Sequence, residues 1–379
     1  MNFGYREQCL AHDTGGRHPE SPDRLRAVRR GLARQHGVSY AEGEPASRAA
    51  IEAVHDPEYV AAIEEFCASG GGRWDADTVA VEATWAASLA SSGLACWAAE
   101  EALDGASGRE APFSLGRPPG HHAVADDAMG FCFFNNAAIA AQAVLDGRSD
   151  DDRNDNSDER GGGDEHDDEH EGRGSNDPEN GSERKHGSET DAERVAIYDW
   201  DVHHGNGTQE IFYDRGDVLY CSVHEDGLYP GTGAIEGTGT DEGAGTTVNA
   251  PLPAGCGDAE YLRVFEECFA PTIAEFDPDL LLVSAGFDAH EHDPISRMGV
   301  STEGYGVLAE EVRDLAGRID AGLGYVLEGG YGLDTLSESV TIVHEVHSGY
   351  DPVRPTEDAN ERSESVIGAV REAHGLGAK

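Results

Sequence analysis

Apolar residues fall in short blocks separated by longer stretches of helical spacing. Blocks of strand type occur at Phe113–Leu115, Val195–Trp200, Val218–Val223, Leu280–Ala285 and Tyr325–Leu327. A short apolar run closed by turn residues reads as a strand buried on both faces. Between and before these blocks, apolar positions recur every three to four residues over Pro57–Ala68, Glu82–Leu103, Phe131–Leu145, Ala259–Glu275 and Thr302–Arg318. That spacing predicts helices. The alternation predicts an α/β fold, a parallel sheet with helices on both faces. Each predicted strand ends in polar, chemically capable residues, and open α/β sheets bind ligands at the carboxyl ends of their strands. All the motifs below are therefore expected in one crevice.

One stretch breaks the pattern. From about Gly147 to Glu193 the chain is almost all Asp, Glu, Gly, Asn, Ser and Arg. Such a segment cannot bury enough surface to offset its ordering entropy, which predicts a disordered acidic insertion over 147–193. It lies between a predicted helix and a predicted strand, so it reads as an expanded loop inside one domain spanning 1–379. His166, His170 and His186 within it read as stray solvated histidines. A polar segment, 351–362, precedes a last amphipathic pattern, Ser363–His374.

Composition narrows the function. Of 379 residues, 74 are Asp or Glu and 27 Lys or Arg, a net charge of −47. This argues against a nucleic-acid-binding surface, which needs a basic stripe, and against an anionic membrane face. Cationic partners fit such a field. Lys185 and Lys379 are the only lysines. An acidic, lysine-poor composition suits a salt-filled cytoplasm, where ions screen its self-repulsion. A halophilic host is the expectation. No apolar run reaches the roughly 18 residues of a membrane span. Met1–Leu10 shows no basic-then-apolar signal pattern, and the seven cysteines form no CxxC pair. A reduced, cytoplasmic protein is expected.

Candidate chemistry concentrates in four places. The densest is Asp199-Trp-Asp-Val-His-His-Gly-Asn-Gly207, directly after a strand block. Asp201 and His203, two apart in extended backbone, point to the same side, and Asp199 can join them. A carboxylate and an imidazole are two of the three protein ligands that a catalytic zinc needs. A third should come from another strand end. Asp288, just past Leu280–Ala285, is the best candidate, with His290, Glu291, His292 and Asp293 as competitors; alone it would read as a helix cap. In Gly116-Arg-Pro-Pro-Gly-His-His122, a stiff loop presents His121 and His122, a pair suited to proton transfer near neutral pH. In Leu327-Glu-Gly-Gly-Tyr-Gly332, glycines surround Tyr331, whose hydroxyl can donate to an oxyanion.

RPPGHH, GFCFFNN, DWDVHHGNGTQ, SAGFDAH and LEGGYG occur in that order, after HDTG at His12 and HPESP at His18. Together they resemble the histone deacetylase superfamily, which includes acetylpolyamine amidohydrolases and acetoin-utilisation proteins. The likeness runs from about Asn2 to Val346, broken by the insertion. The Asn in HHGNG and the Glu in LEGGY resemble the class II branch. The resemblance implies the arginase/deacetylase fold, a single domain around an eight-stranded parallel sheet. It implies Zn2+ held by Asp201, His203 and Asp288. Two carboxylates and one imidazole are fairly hard ligands, so Fe2+ is a competitor. His121 and His122 would handle protons, with Asp199 behind the first and Asn206 behind the second. Tyr331 would supply the transition-state hydroxyl. A structural K+ would take oxygens from Asp199, Asp201, His203 and Ser222, and a second K+ would sit near Phe212 and Val218. Phe131 and Tyr229 would wall a substrate tunnel, with the Gly130 carbonyl offered to the substrate amide. The implied substrate is an acetylated lysine side chain or a small acetylated cation such as a polyamine. Polyamine-specialised relatives can carry a glutamate after the Asp-Pro pair, and Ile295 stands there instead. A non-enzymatic metal-binding or acetoin-linked regulatory module is the remaining reading, disfavoured by the intact His121, His122 and Tyr331.

Overall fold

A computed structural model describes residues 1–105, 111–155, 192–356 and 359–377. Among the described residues there are ten strands: β1 (Asn2–Gly4), β2 (Ser39–Ala41), β3 (Gly72–Arg73), β4 (Val79–Ala80), β5 (Phe113–Ser114), β6 (Val195–Asp199), β7 (Val218–Glu225), β8 (Thr247–Leu252), β9 (Leu280–Ala285) and β10 (Gly322–Leu327). Eight build one sheet in the order β2-β1-β5-β10-β9-β6-β7-β8, with every neighbouring pair parallel. β3 and β4 form a separate hairpin.

Both faces of the sheet are covered, which explains the near-continuous apolar runs. Along β6, Ala196 and Tyr198 enter one core with Leu281, Val283 and Tyr325. Val195 and Ile197 enter the other with Leu280, Leu282 and the alanine-rich faces of helices Thr84–Asp104 and Asn136–Asp155. Register levels the strand ends: Asp199 lies opposite both Ser284 of β9 and Ser222 of β7, and Leu327 lies opposite Ala285. The loops after β5, β6, β9 and β10 therefore open on one edge.

All five predicted strands are present. β1, β2 and β8 escaped the pattern. The first two have three residues each, and β8 carries Asn249 and Pro251. β8 is an edge strand, where proline is tolerated. The helix predicted from Phe131 begins at Asn136 instead. Gly130 and Phe131 adopt left-handed φ of 55° and 71°, which no helix accepts, and the Asn135 carboxamide caps the helix by accepting from Ala138 N–H (3.0 Å). The same helix runs on to Asp155, past the predicted start of the insertion at 147. At the other end, Ala192 is already buried. The predicted disorder between falls on residues outside the described set. The helix predicted over Ala259–Glu275 is interrupted by a π turn at Phe265–Phe269, just before Pro271. Pro271 has no N–H to give the carbonyl of Glu267. No helix among the described residues is long and apolar enough to cross a membrane.

Candidate active site

Beyond β6 the chain turns through Trp200–Gly205 into the short helix Asn206–Phe212. Asp199, fully buried, accepts from Tyr220 OH (2.9 Å) and from Asp201 N–H (3.1 Å), and faces His121 Nδ1 at 3.0 Å. Asp201 Oδ1 accepts from His203 N–H (2.9 Å), and its Oδ2 from Gly329 N–H (2.8 Å). Asp288 Oδ1 accepts from Val202 N–H (2.9 Å). His203 Nδ1 lies 3.0 Å from Asp201 Oδ1 and 3.1 Å from Asp288 Oδ2. One donor atom from each of the three residues lies within 4.8 Å of the others.

The other contenders are occupied elsewhere. His290 faces Thr302 Oγ1 (3.0 Å), Glu291 and His292 are exposed, and Asp293 accepts backbone N–H groups. Asp288 is thus the strand-end group that joins Asp201 and His203. The cluster suits a divalent cation. Asp288 Oδ2 is buried and, among the described residues, has only the His203 imidazole close to it. Burial and the neighbouring Asp201 charge push the Asp288 carboxyl up to about 7. Burial also opposes charge on Asp201, yet His121 and His203 hold it well below the usual carboxylate range. Two carboxylates crowded on one imidazole carry an excess of negative charge that a bound cation relieves. Gly329 keeps the space open, since a Cβ there would run into both Asp288 and Asp201.

The imidazole pair sits on the loop after β5. Arg117, fully buried, is forked by Glu20, with Nη2 to Oε2 at 2.6 Å, and donates to the Cys9 carbonyl (2.7 Å). The two rings lie 4.1 Å apart, and His122 is 5.7 Å from His203. Burial alone would depress His121, but Asp199 and Asp201 outweigh it and push its imidazole up to about 10. His122 goes the other way. Burial, then the charges on His121 and His203, hold it well below the ordinary range. Its Nδ1 faces Asn206 Oδ1 at 2.9 Å. A neutral His122 that donates there leaves Nε2 as a base.

Tyr331 follows Gly330 on the β10 loop. Its N–H and that of Gly332 donate to Asp293 Oδ2 (2.7 and 2.9 Å). Arg24 fixes the same loop by donating from Nε to the Gly330 carbonyl (2.7 Å), and its guanidinium lies 5.0 Å from the Tyr331 ring centre. Burial raises the Tyr331 phenol well above its usual value. Phe131 packs edge-on against Tyr331 (5.7 Å) and His18 (4.7 Å), and Tyr229 stands edge-on to His122 (5.2 Å). The Gly130 carbonyl accepts from the Cys132 thiol (3.3 Å). Gly130 must lack a side chain, because a Cβ would strike His122. Ile295, half-buried, is tied to the same turn as Tyr331, since its N–H donates to Asp293 Oδ1 (3.1 Å). Ser222 Oγ faces His224 Nδ1 (3.0 Å), and Phe212 and Val218 are buried in the second core.

A family model described as the histone deacetylase domain matches residues 18–151 and 184–347. The chain belongs to the histone deacetylase family. It is 34% identical to a histone deacetylase-like amidohydrolase of Pseudomonas aeruginosa over 83% of this chain and 72% of that one. It is 33% identical to the chloroplastic histone deacetylase 14 of Arabidopsis thaliana, over 83% and 71%. The crystal structure of the HDA15 HD domain superposes with a TM-score of 0.79 at 32% identity, covering 98% of this chain and 94% of that one. The fold is thus the arginase/deacetylase fold, and the chain is a histone deacetylase-family hydrolase, a family generally dependent on metal.

In this deacetylase-family chain His121 and His122, Asp201 and His203, Asp288, and Tyr331 lie on the loops after β5, β6, β9 and β10 respectively. Sequence reading gave no site role to Glu20, Arg24, Arg117, Tyr220 or Glu328, although Glu20, Arg117 and Glu328 lie inside quoted motifs. All five are buried. Tyr220 sits in an apolar strand and Glu20, Arg117 and Glu328 within motifs, whereas Arg24, in the helix Asp23–Leu32, carries no such signal.

Proposed function

We propose that this chain is a zinc-dependent deacetylase that hydrolyses the acetyl amide of acetyl-lysine in proteins or peptides to acetate and a free amine. What carries the reading is the placement of two neighbouring imidazoles, His121 facing Asp199 and His122 facing Asn206, beside the Asp201–His203–Asp288 cluster. Those three residues would hold the ion, zinc with iron(II) as competitor. Bound there, it supplies Lewis-acid polarisation of the acetyl carbonyl and acidifies a water. His122 takes a proton at Nε2 as water attacks, with its ring held by Asn206. Asp199 holds His121 as imidazolium. A protonated histidine of this pair returns the proton to the leaving amine. The Tyr331 phenol, kept protonated by burial, donates to the oxyanion. Phe131 and Tyr229 flank the acyl chain and shield it from water. Asp199, Asp201, His203 and Ser222 are read as ligands of a structural potassium ion. The register of Asp199 against Ser222 supports this. Phe212 and Val218 are read as the neighbourhood of a second such ion.

Hydrolysis of a small acetylated cation is the second reading. Asp77 and Asp75 lie close enough to Tyr229 to add to the effect of burial in raising its phenol, so the tunnel wall carries negative charge. Ile295 after Asp293-Pro294 speaks for the peptide. The test is parallel turnover, in molar KCl with zinc, of a fluorogenic acetyl-lysine peptide and of acetylated putrescine and spermidine. Faster peptide turnover is expected. Faster polyamine turnover replaces the first reading with the second, and an inert zinc-loaded protein removes both.

A further inference from the structure

Glu328 directly follows β10 and is fully buried. Its backbone is pinned on both sides. Its N–H donates to the Ala285 carbonyl (3.1 Å), and its carbonyl accepts from the Arg24 guanidinium. Its side chain reaches to the imidazole loop, where Oε2 accepts from the N–H of Gly120 (2.7 Å) and of His121 (3.2 Å). Oε1 is buried and has no hydrogen-bond partner among the described residues. A buried carboxylate is costly, and an apolar side chain of similar volume fills such space at lower cost. What Glu328 provides in return is support for a loop with few backbone donors. Pro118 and Pro119 contribute no N–H. The Glu328 carboxylate takes up the next two N–H groups, those of Gly120 and His121. His121 is then held from three sides. Its N–H meets Glu328, its carbonyl accepts from Gly207 and Thr208 N–H (3.1 and 3.2 Å), and its ring faces Asp199.

We propose that Glu328 is a positioning residue of the hydrolytic site. By accepting from Gly120 and His121, its Oε2 sets where both imidazoles stand relative to the Asp201–His203–Asp288 cluster. The kinetic half of the test rests on the deacetylase reading; the structural half does not. An error of about 1 Å in such a constellation costs on the order of a hundredfold in rate.

The experiment compares Glu328→Gln, Glu328→Asp and Glu328→Leu in the full-length, zinc-loaded protein. It measures kcat and KM on an acetyl-lysine peptide, zinc content, and amide hydrogen exchange across Gly120–His122. Glutamine keeps the acceptor oxygen and is expected to keep most of kcat and of the amide protection. Leucine removes the acceptor, and aspartate pulls it back by one methylene. Both are expected to lower kcat roughly ten- to hundredfold. KM and zinc content should hold while exchange accelerates. A glutamine variant as damaged as leucine overturns the proposal in favour of charge. A leucine variant with full kcat and protection overturns it outright. If leucine fails to fold, aspartate carries the test with its charge intact. If the wild type turns over no acetylated substrate, exchange alone decides. Protection lost in aspartate and leucine but kept in glutamine supports the role, and equal protection in all three removes it.

Discussion

Asn206 is the hydrogen-bond partner of His122 most open to a test by substitution. It offers that imidazole a neutral carboxamide oxygen, while Asp199 offers His121 a carboxylate. Burial and the charges on His121 and His203 lower His122 against the smaller upward pull of Asn206, while Asp199 and Asp201 outweigh burial and raise His121. An anion in place of the amide would favour the charged form of His122 and raise its pKa. A base is useful only while neutral, so Asn206→Asp should move the acid limb of the kcat/KM–pH profile to higher pH. A limb that stays put would show that His122 is not the base that limits turnover at low pH. At this scale the sequence is legible where chemistry is local. The two-residue spacing of Asp201 and His203, and the adjacency of His121 and His122, are visible in a line of text. The partners that orient them are not. Glu328 meets His121 across 207 positions, and Arg117 meets Glu20 across 97. A buried glutamate or arginine in a motif looks like any other until its counterpart is in view.

The imidazole loop is built by contacts between elements rather than by a ladder of its own. Its upstream end is anchored by Arg117, which reaches Glu20 in the N-terminal segment; Glu20 also meets His12 Nε2 (3.4 Å) and Arg24 (3.3 Å). Burial opposes charge on Glu20, but Arg117 and His12 hold it well below the usual range. A carboxyl with a depressed folded pKa contributes stability above its unfolded value of about 4.3, and that stability is lost as pH falls through the folded value. Arg117→Met leaves the Glu20 charge buried without its fork. It should cost about 3–5 kcal/mol, seen as a lower Tm at pH 7, with part of the loss recovered in the Glu20→Gln, Arg117→Met double variant. A Tm within a degree of the wild type would mean that Arg24 and His12 suffice to hold Glu20. Element boundaries were legible where apolar runs were long, as in β6 and β9. β1 and β2 give three residues each to pattern recognition, and the start of helix Asn136–Asp155 depends on a left-handed turn at Phe131 that hydropathy does not encode.

Over the whole molecule the net charge of −47 sets the working conditions. Self-repulsion of that size is screened within about 8–10 Å at moderate ionic strength and within about 3 Å at 1 M salt. Thermal stability is expected to climb with KCl into the molar range and to fall on dilution, followed by circular dichroism. Equal stability in dilute buffer and molar KCl would remove the halophilic reading. Surface ion pairs do not offset the charge. Arg354 pairs with Glu310 and Glu311, and Arg371 with Glu267, and surface pairs of this kind contribute about 0–1 kcal/mol apiece. The eight-stranded sheet and its active edge were legible as an alternation of blocks and through the family likeness, because burial on both faces writes strands as continuous apolar runs. The margins of the sheet tell a separate story. High salt strengthens apolar association, and an open sheet offers unpaired amides along each outer strand. In β8, Pro251 removes one donor and puts a ring in the path of any incoming strand. At the opposite margin, β2 offers only three residues before the chain turns away. A second copy finds neither a row of amides long enough to extend nor a flat one to stack against. Association between molecules is thereby left to helices and loops, and runaway strand-to-strand polymerisation is blunted at both margins.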